Sequence, residues 1–301
     1  MLWAIQRRKV HQDTSSQAIV LLGGSRILVG FAPEVFARLY PRYRVYQLAL
    51  DGRHPMASLR DLAEDNNFHG IVICSITTRS LIRTHLNDQK ENVEYYHQVY
   101  NNLGYLNTNL NRQIATFLQE RLAFFNGNFS PSRLMDHLCE NKRLPEPFHT
   151  LTRGDRFSRA DYSKVADLAG RRAYRIDGLR RVNERDPPPS PERWMRETLN
   201  IEPWVSRIQQ RGGKVVFVRF ITTDQYYGLH EKYWPKRDYW DRFAANTQAT
   251  TIHFMDVPEL QDFHCPDTSH LNYPDAIRYT EALARELELR KVIVSSSVER
   301  Q

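Results

Sequence analysis

Cysteine is scarce in this sequence of 301 residues, which has only Cys74, Cys139 and Cys265. The three show neither paired spacing nor the close Cys/His pairs of a zinc site, which argues against a disulfide framework and against a structural zinc fold. Cys74 lies within an apolar stretch, so we expect it in the core. This use of cysteine favours a reducing compartment.

Long apolar runs are also missing. No stretch of about eighteen apolar residues occurs, so the sequence predicts no membrane-spanning helix. The charged start, residues 1–9, lacks the apolar centre of a signal peptide. We therefore expect a cytoplasmic protein, with an envelope-associated location as the alternative if the chain follows an upstream membrane helix.

Motifs for nucleotides and metals are absent as well. The turn Gly23-Gly24-Ser25 lacks the Lys-Ser/Thr ending of a phosphate loop, and no dinucleotide fingerprint or metal-ligand spacing occurs. We expect no cofactor and no bound metal. The net charge of +7 is not accompanied by a known nucleic-acid-binding motif, which disfavours nucleic acid as a partner.

What the sequence does contain is an alternation of predicted strands and helices, with 41% hydrophobic residues to build a core. The third and fourth predicted strands are nearly continuous apolar runs, as in parallel strands covered on both faces. The pattern predicts an α/β fold, a three-layer αβα sheet of about five parallel strands. The predicted strands are Ala18–Leu22, Arg44–Leu50, Gly70–Ile76, Lys214–Phe220 and Thr251–Met255. The predicted helices are Ile27–Leu39, Ser58–Asn66, Glu192–Gln210, Tyr239–Thr247 and Pro274–Leu289.

Two segments do not fit this alternation. Residues 1–17 are polar and are predicted to form a loose N-terminal arm before an α/β domain spanning 18–301. A large insertion, at about 85–191, is predicted to be mainly helical over 88–125 and irregular over 126–190, where it ends in a stiff proline-rich stretch. We give equal weight to two interpretations of this insertion. It is either a cap over the carboxyl edge of the sheet or a structural side layer.

A serine near one end of the chain and an acid–histidine pair near the other suggest catalysis. Ser25 follows a predicted strand and two glycines and precedes a predicted helix, where unpaired N–H groups favour negative charge. With Asp267 and His270, it supplies a nucleophile, an orienting acid and a base. The alternative role is helix capping, for Ser25 and for Asp267. Asp262 is a lower-ranked rival acid, and His264 at most lines the site.

This layout resembles the SGNH (GDSL-like) hydrolase superfamily, in particular the branch whose serine turn is Gly-Gly-Ser or Gly-Ser-Ser. The resemblance covers about the first hundred residues and the last ninety. It implies a flavodoxin-like sheet, Ser25 as nucleophile, His270 as base and Asp267 as the orienting acid. It also implies an oxyanion hole that includes the amides of Ser25 and Gly52. Many members of that branch act on acyl groups of polysaccharides, so the resemblance implies that the substrate is a carbohydrate ester, with O-acetyl as the expected acyl group.

The sequence departs from the family at the third oxyanion donor, an asparagine after the third strand. Thr77, Thr78 and Arg79 stand there instead. Loss of one such donor costs about 3–4 kcal/mol in known hydrolases. Either Thr78, Arg79 or the neighbouring Arg26 substitutes, or activity is low or lost. Arg26 either holds an anionic substrate group or pairs with an acid such as Asp51, and the pairing is the interpretation we favour.

A basic tract and an aromatic cluster complete the pattern. Residues 152–185 contain nine arginines and one lysine against five acids. A solvated loop is the favoured interpretation, and a dock for an anionic carrier or membrane surface is the alternative. The aromatic residues after the fourth strand either pack the fold, which we favour slightly, or stack on sugar rings. They are Tyr226, Tyr227, Tyr233, Trp234, Tyr239 and Trp240.

The sequence thus predicts a serine esterase or O-acyltransferase that acts on a carbohydrate ester through an acyl-enzyme. The alternative is a catalytically impaired protein of the same fold that binds or assembles a polysaccharide or another anionic partner.

Overall fold

The computed structural model describes residues 2–100 and 148–294. Its centre is a sheet of five parallel strands in the order β2-β1-β3-β6-β7. Ile19 of the first strand lies opposite Val45 on one side and Ile71 on the other. The strands are β1 (Ala18–Leu22), β2 (Arg44–Gln47), β3 (Ile71–Ser75), β4 (Thr150–Thr152), β5 (Ser158–Ala160), β6 (Lys214–Arg219) and β7 (Thr250–His253), with β4 and β5 forming a separate antiparallel hairpin.

Helices pack against both faces of the sheet. The α-helices are α1 (Leu2–Gln12), α2 (Ser25–Gly30), α3 (Pro33–Leu39), α4 (Met56–Glu64), α5 (Lys90–Glu94), α6 (Leu168–Arg185), α7 (Pro191–Thr198), α8 (Glu202–Gln210), α9 (Asp224–Tyr233), α10 (Trp240–Asn246), α11 (Pro258–Gln261) and α12 (Tyr273–Leu289). Shorter 3₁₀ turns span Thr78–Leu81, Arg83–His85, Tyr162–Lys164, Leu199–Ile201 and Phe254–Asp256, and a π-helical segment spans Tyr95–Tyr100.

The three layers follow from the alternation of side chains along each strand. Val20 and Leu22 of β1 join a core cluster with α1, α4, α7, α8 and α10. Ile19 and Leu21 of the same strand join a second cluster with α2, α3 and α12. Because successive strand residues face opposite sides, both faces must be apolar and both must be covered. The predicted three-layer α/β arrangement is therefore present.

The predicted strands match the observed ones to within three residues at each end, whereas two predicted helices are divided. The segment Glu192–Gln210 forms α7 and α8, which are separated by the 3₁₀ turn Leu199–Ile201. The segment Ile27–Leu39 forms α2 and α3, with an extended Ala32 (φ −99°, ψ 97°) between them. Pro33 explains the break, because the ring of a proline disfavours helical geometry in the residue before it.

The N-terminal segment is not the loose arm that its polar composition suggested. Residues 2–12 form α1, in which Trp3 and Val10 are buried. Arg7 is buried as well and forms ion pairs with Asp61 and Asp65 of the α4 region. A buried arginine that is neutralised by two carboxylates appears polar in the sequence but belongs to the core.

The described parts of the insertion are more regular than predicted. Residues 90–100 are helical, as expected, and the rest of the 88–125 prediction lies in the undescribed stretch 101–147. The irregular structure expected over 126–190 is wrong for the hairpin of β4 and β5 and for 168–185, which form α6. Asp167 caps this helix by accepting a hydrogen bond from the Gly170 amide, and its many arginines are good helix formers.

Within the described ranges, no helix is both long and apolar enough to cross a membrane. Cys74, expected in the core, is fully buried in β3.

Candidate active site

The candidate site lies where the strand order reverses. The chain leaves β1 for β2 on one side and returns to β3 on the other, so the carboxyl ends of β1 and β3 border a crevice. Gly23 ends β1 with φ +144°, and a Cβ at this position would approach the Ser75 Cβ to 2.8 Å. Only glycine allows this turn, which makes Ser25 the first residue of α2.

The structure brings Ser25, His270 and Asp267 together in one hydrogen-bonded chain. Ser25 Oγ lies 2.6 Å from His270 Nε2, and His270 Nδ1 lies 3.0 Å from Asp267 Oδ2. The other oxygen, Asp267 Oδ1, accepts hydrogen bonds from the backbone amides of Ser269 (3.1 Å) and His270 (2.8 Å). The acid is thus fixed by its own loop, and it orients the imidazole towards the serine.

The electrostatics of the pair favour a charged acid and a neutral base. Burial favours a protonated Asp267, but the hydrogen bond from His270, with the charges of His270 and Arg175, holds the pKa of Asp267 well below its usual range. Burial lowers the pKa of His270, Asp267 acts in the opposite direction, and Arg175 and Arg26 lower it further. A neutral imidazole can accept the serine proton at neutral pH.

Three side chains from the insertion approach the acid, and Arg171 is the farthest, with its Nε 3.8 Å from Asp267 Oδ2. Tyr162 donates its hydroxyl to Asp267 Oδ2 at 2.8 Å, and Arg175 Nε of α6 lies 2.6 Å from the same oxygen. Arg172 holds the adjacent backbone by donating to the Pro266 carbonyl at 2.5 Å. Part of the basic tract is therefore engaged with the site, in contrast to the solvated loop that we favoured from the sequence.

A cavity of about 430 Å³ opens beside Ser25. The turns after β1, β2 and β3 form one wall, and α6 and α9 contribute the opposite side. Gly52, with φ +65°, lies in the turn after β2 and lines the cavity together with Ser25. The α6 residues in the lining are Gly178, Leu179, Val182 and Asn183, so this part of the insertion lies over the carboxyl edge of the sheet.

Arg26 does not form the ion pair with Asp51 that we favoured from the sequence. Its Nη2 donates to the Tyr226 hydroxyl and to Ser269 Oγ, both at 3.0 Å, and its guanidinium lies 5.5 Å from the centre of the Tyr226 ring. Asp51 is solvent-exposed in the turn after β2. Arg26 instead lines the cavity next to Ser25.

Thr78 and Arg79, the other two candidates besides Arg26 to replace the missing asparagine, are placed differently from each other. Arg79 lines the cavity but forms an ion pair with Asp186. Thr78 is buried and is not among the cavity-lining residues, and its carbonyl accepts the indole N–H of Trp194 at 3.0 Å. Thr78 therefore packs beneath the surface, and the guanidinium of Arg79 is already occupied by a carboxylate.

The remaining sequence candidates lie outside the triad. His264 is exposed and approaches Asp224 and Arg172, and Asp262 is an exposed residue after α11. Among the aromatic residues, Tyr239 and Trp240 are buried in the core, whereas Tyr226 and Trp234 line the cavity.

One cluster that the sequence analysis missed could hold a metal ion. Ligand atoms of His54, His85 and Asp88 all lie within 4.8 Å of one another. Burial and the charges of His85, Arg79 and Arg26 lower the pKa of His54 to about 3, so its ring is neutral. The same arginine charges oppose a cation here. His54 and His85 are 31 residues apart, which explains why no ligand spacing was visible.

No protein-family model matches this chain, and no curated protein matches it either.

Proposed function

We propose that this protein is a serine esterase or O-acyltransferase of the SGNH type. The observation that carries the proposal is the hydrogen-bonded chain from Ser25 through His270 to Asp267 at the edge of the sheet. The strand order is that of flavodoxin-like sheets, which bind ligands at this switch point. The cavity beside Ser25 supplies space for an ester.

The reaction would proceed in two steps. Ser25 Oγ attacks the ester carbonyl while His270 Nε2 takes its proton, and Asp267 stabilises the imidazolium that forms. The tetrahedral oxyanion collapses, the C–O bond to the alcohol breaks, and His270 returns the proton to the leaving oxygen. Water or a sugar hydroxyl then attacks the acyl-enzyme with His270 again as the base. This chemistry requires no cofactor.

Two backbone amides are the candidate oxyanion donors. The amide of Ser25 is in the first turn of α2, and Gly52 borders the same cavity. Backbone donors that are fixed before the reaction stabilise the oxyanion without reorganisation. An acylated carbohydrate with an O-acetyl ester is the proposed substrate, because the sequence resembles the branch of SGNH hydrolases in which many members act on acyl groups of polysaccharides.

A catalytically impaired binding or assembly protein is the second candidate. It is favoured by the position of the missing asparagine, where Thr78 is buried and Arg79 is paired with Asp186. Neither replacement is a free amide donor. In this case the cavity would bind its ligand without turnover.

Turnover of p-nitrophenyl acetate and labelling by a fluorophosphonate probe distinguish the two candidates. We expect wild-type activity to fall about 10⁴-fold or more in Ser25→Ala and in His270→Ala, because removal of either group disables the whole triad. Mass spectrometry should place the label on Ser25. The matched control is Ser206→Ala, since this half-buried serine of α8 does not line the cavity and bonds only to Gln248 in the described contacts.

An unlabelled wild type that is no faster than Ser25→Ala would rule out the esterase and support the binding protein. Circular dichroism of each variant shows whether the fold is retained.

A further inference from the structure

Three arginines and no acid are among the described residues that line the active-site cavity. The arginines are Arg26, Arg53 and Arg79. Arg79 is neutralised by Asp186, and Arg53 is exposed at the rim, where it contacts the Asp88 carbonyl. Arg26 is therefore the cation of interest, because it is the direct neighbour of the nucleophile.

The guanidinium of Arg26 has no carboxylate partner in residues 2–100 or 148–294. Its two hydrogen bonds from Nη2 go to neutral hydroxyls, of Tyr226 and Ser269. Its Nε is shielded from solvent and has no hydrogen-bond partner in the described structure. A guanidinium carries five N–H donors in a planar fork that matches a carboxylate or phosphate, so donors remain for a ligand.

A second group on the cavity wall is also unsatisfied. His230 of α9 is only 6% exposed and lines the cavity, yet neither ring nitrogen makes a hydrogen bond to a described residue. Its nearest carboxylate oxygen, on Glu231, is 3.9 Å from Nδ1. Buried polar nitrogens are nearly always hydrogen-bonded, so a ring that faces a cavity without a protein partner has a nitrogen available for water or for a ligand.

Arg219 adds positive charge behind this wall. It is 1% exposed and bonds only to neutral oxygens in the described contacts, the Phe220 carbonyl and the Thr222 hydroxyl. Burial lowers the pKa of Arg219 to about 10, so it stays charged at neutral pH. Burial and then the charge of Arg219 lower the pKa of His230 to about 4, which leaves its ring neutral and able to donate an N–H.

We propose that Arg26 and His230 form an anion subsite beside Ser25, so that the substrate ester carries a carboxylate, phosphate or sulfate group. The assignment of this anion to a substrate rests on the proposed esterase function. Anion binding itself does not require catalysis. The anionic group belongs either to the acyl part of the ester or to the alcohol part.

Binding is tested first in Ser25→Ala, which cannot turn over an ester. We expect succinate and sulfate to raise its melting temperature relative to potassium chloride at equal ionic strength. The effect should be lost when Arg26→Gln is added. The effect should persist when Arg38→Gln is added. This substitution removes the same charge, but from an exposed arginine of α3 outside the cavity.

Turnover then tests the substrate class with two pairs of matched esters. Monophenyl succinate and methyl phenyl succinate place the charge, or its neutral equivalent, on the acyl side. 4-Acetoxybenzoate and its methyl ester place it on the alcohol side. For the pair that fits, we expect the ratio of charged to neutral kcat/KM to fall about 10- to 100-fold in Arg26→Gln, with a smaller fall in Arg26→Lys and in His230→Gln.

The two proposals fail in different ways. If Ser25→Ala binds succinate through Arg26 but no ester is turned over by the wild type, the esterase is rejected and the subsite stands. If the esters are cleaved through Ser25, but neither ratio differs between wild type and Arg26→Gln and neither anion stabilises the protein, the subsite is rejected and the esterase stands.

Discussion

Asp267 is the residue at which the triad and the insertion meet. Its two oxygens accept from His270 and from two backbone amides, and they also contact Tyr162 and Arg175. A cation beside the triad acid reduces the stabilisation that this acid can give to an imidazolium. The insertion therefore adjusts the basicity of His270 as well as covering the cavity.

The effect of this cation on pH dependence can be measured. Arg175 lowers the pKa of His270, so Arg175→Gln should raise it. Because the proposed mechanism needs a neutral His270 as the base, the acid limb of the kcat/KM profile should move to higher pH. The measurement uses a neutral ester across pH 4.5–8, an interval chosen around the ordinary histidine pKa of about 6.5.

Arg180→Gln is the matched control, since this exposed arginine of the same helix pairs with Asp177 instead. An acid limb that is unchanged in Arg175→Gln would show that Arg175 has no influence on the base.

Some contacts of the candidate site could be predicted from the sequence and others could not. The Asp-x-x-His spacing identified Asp267 and His270 because their contact is local, within one turn of the chain. The partners of Arg26 could not be read in the same way, because Tyr226 and Ser269 are 200 and 243 residues away. Contacts of that separation depend on the fold, and residue type alone suggested an acid.

At the scale of elements, strands were predicted better than helices. Continuous apolar runs such as Ile71–Ser75 predict a buried strand. The α6 helix was not predicted because arginines dominate its sequence and its apolar residues are few. Among them, Ile176, Leu179 and Val182 recur at intervals of three. The stability of such a helix comes from tertiary contacts, and these are not visible in composition.

One of these contacts fixes α6 to α9. Asn183 is 1% exposed, and its Oδ1 accepts the indole N–H of Trp234 at 2.8 Å. Asn183→Leu leaves the buried N–H unpaired, and Trp234→Phe leaves the acceptor unpaired, so each should lower the free energy of unfolding by about 1–3 kcal/mol. The double variant should lose less than the sum, with a coupling of about 1 kcal/mol in urea unfolding.

Trp3→Phe is the control for this double-mutant comparison of Asn183 and Trp234. The Trp3 indole donates to the Leu48 carbonyl at a different place in the core. Its combination with Asn183→Leu should be additive. Additivity in the Asn183/Trp234 pair as well would mean that this hydrogen bond does not hold the two helices together.

At the scale of the whole molecule, buried neutral histidines set the response to acid. Burial is the leading cause that lowers the pKa of His54 to about 3, of His230 to about 4 and of His253 to about 2. The unfolded chain binds these protons near pH 6.5 and the folded protein does not, so stability decreases as the pH falls below that value. The lowered carboxylates Asp61 and Asp65 add a further loss only below about pH 4.

His253 allows this contribution to be isolated. It is 4% exposed at the end of β7, and the charges of Arg219, Lys236 and His230 add to the effect of its burial. Between pH 7 and pH 4.5, uptake of one proton by the unfolded chain alone corresponds to about 2.5 kcal/mol. His253→Gln should therefore lose about that much less stability over this interval than the wild type, measured by urea unfolding at each pH. Equal losses in wild type and His253→Gln would mean that His253 is protonated in the folded protein, and the acid response would then have to come from the other buried groups.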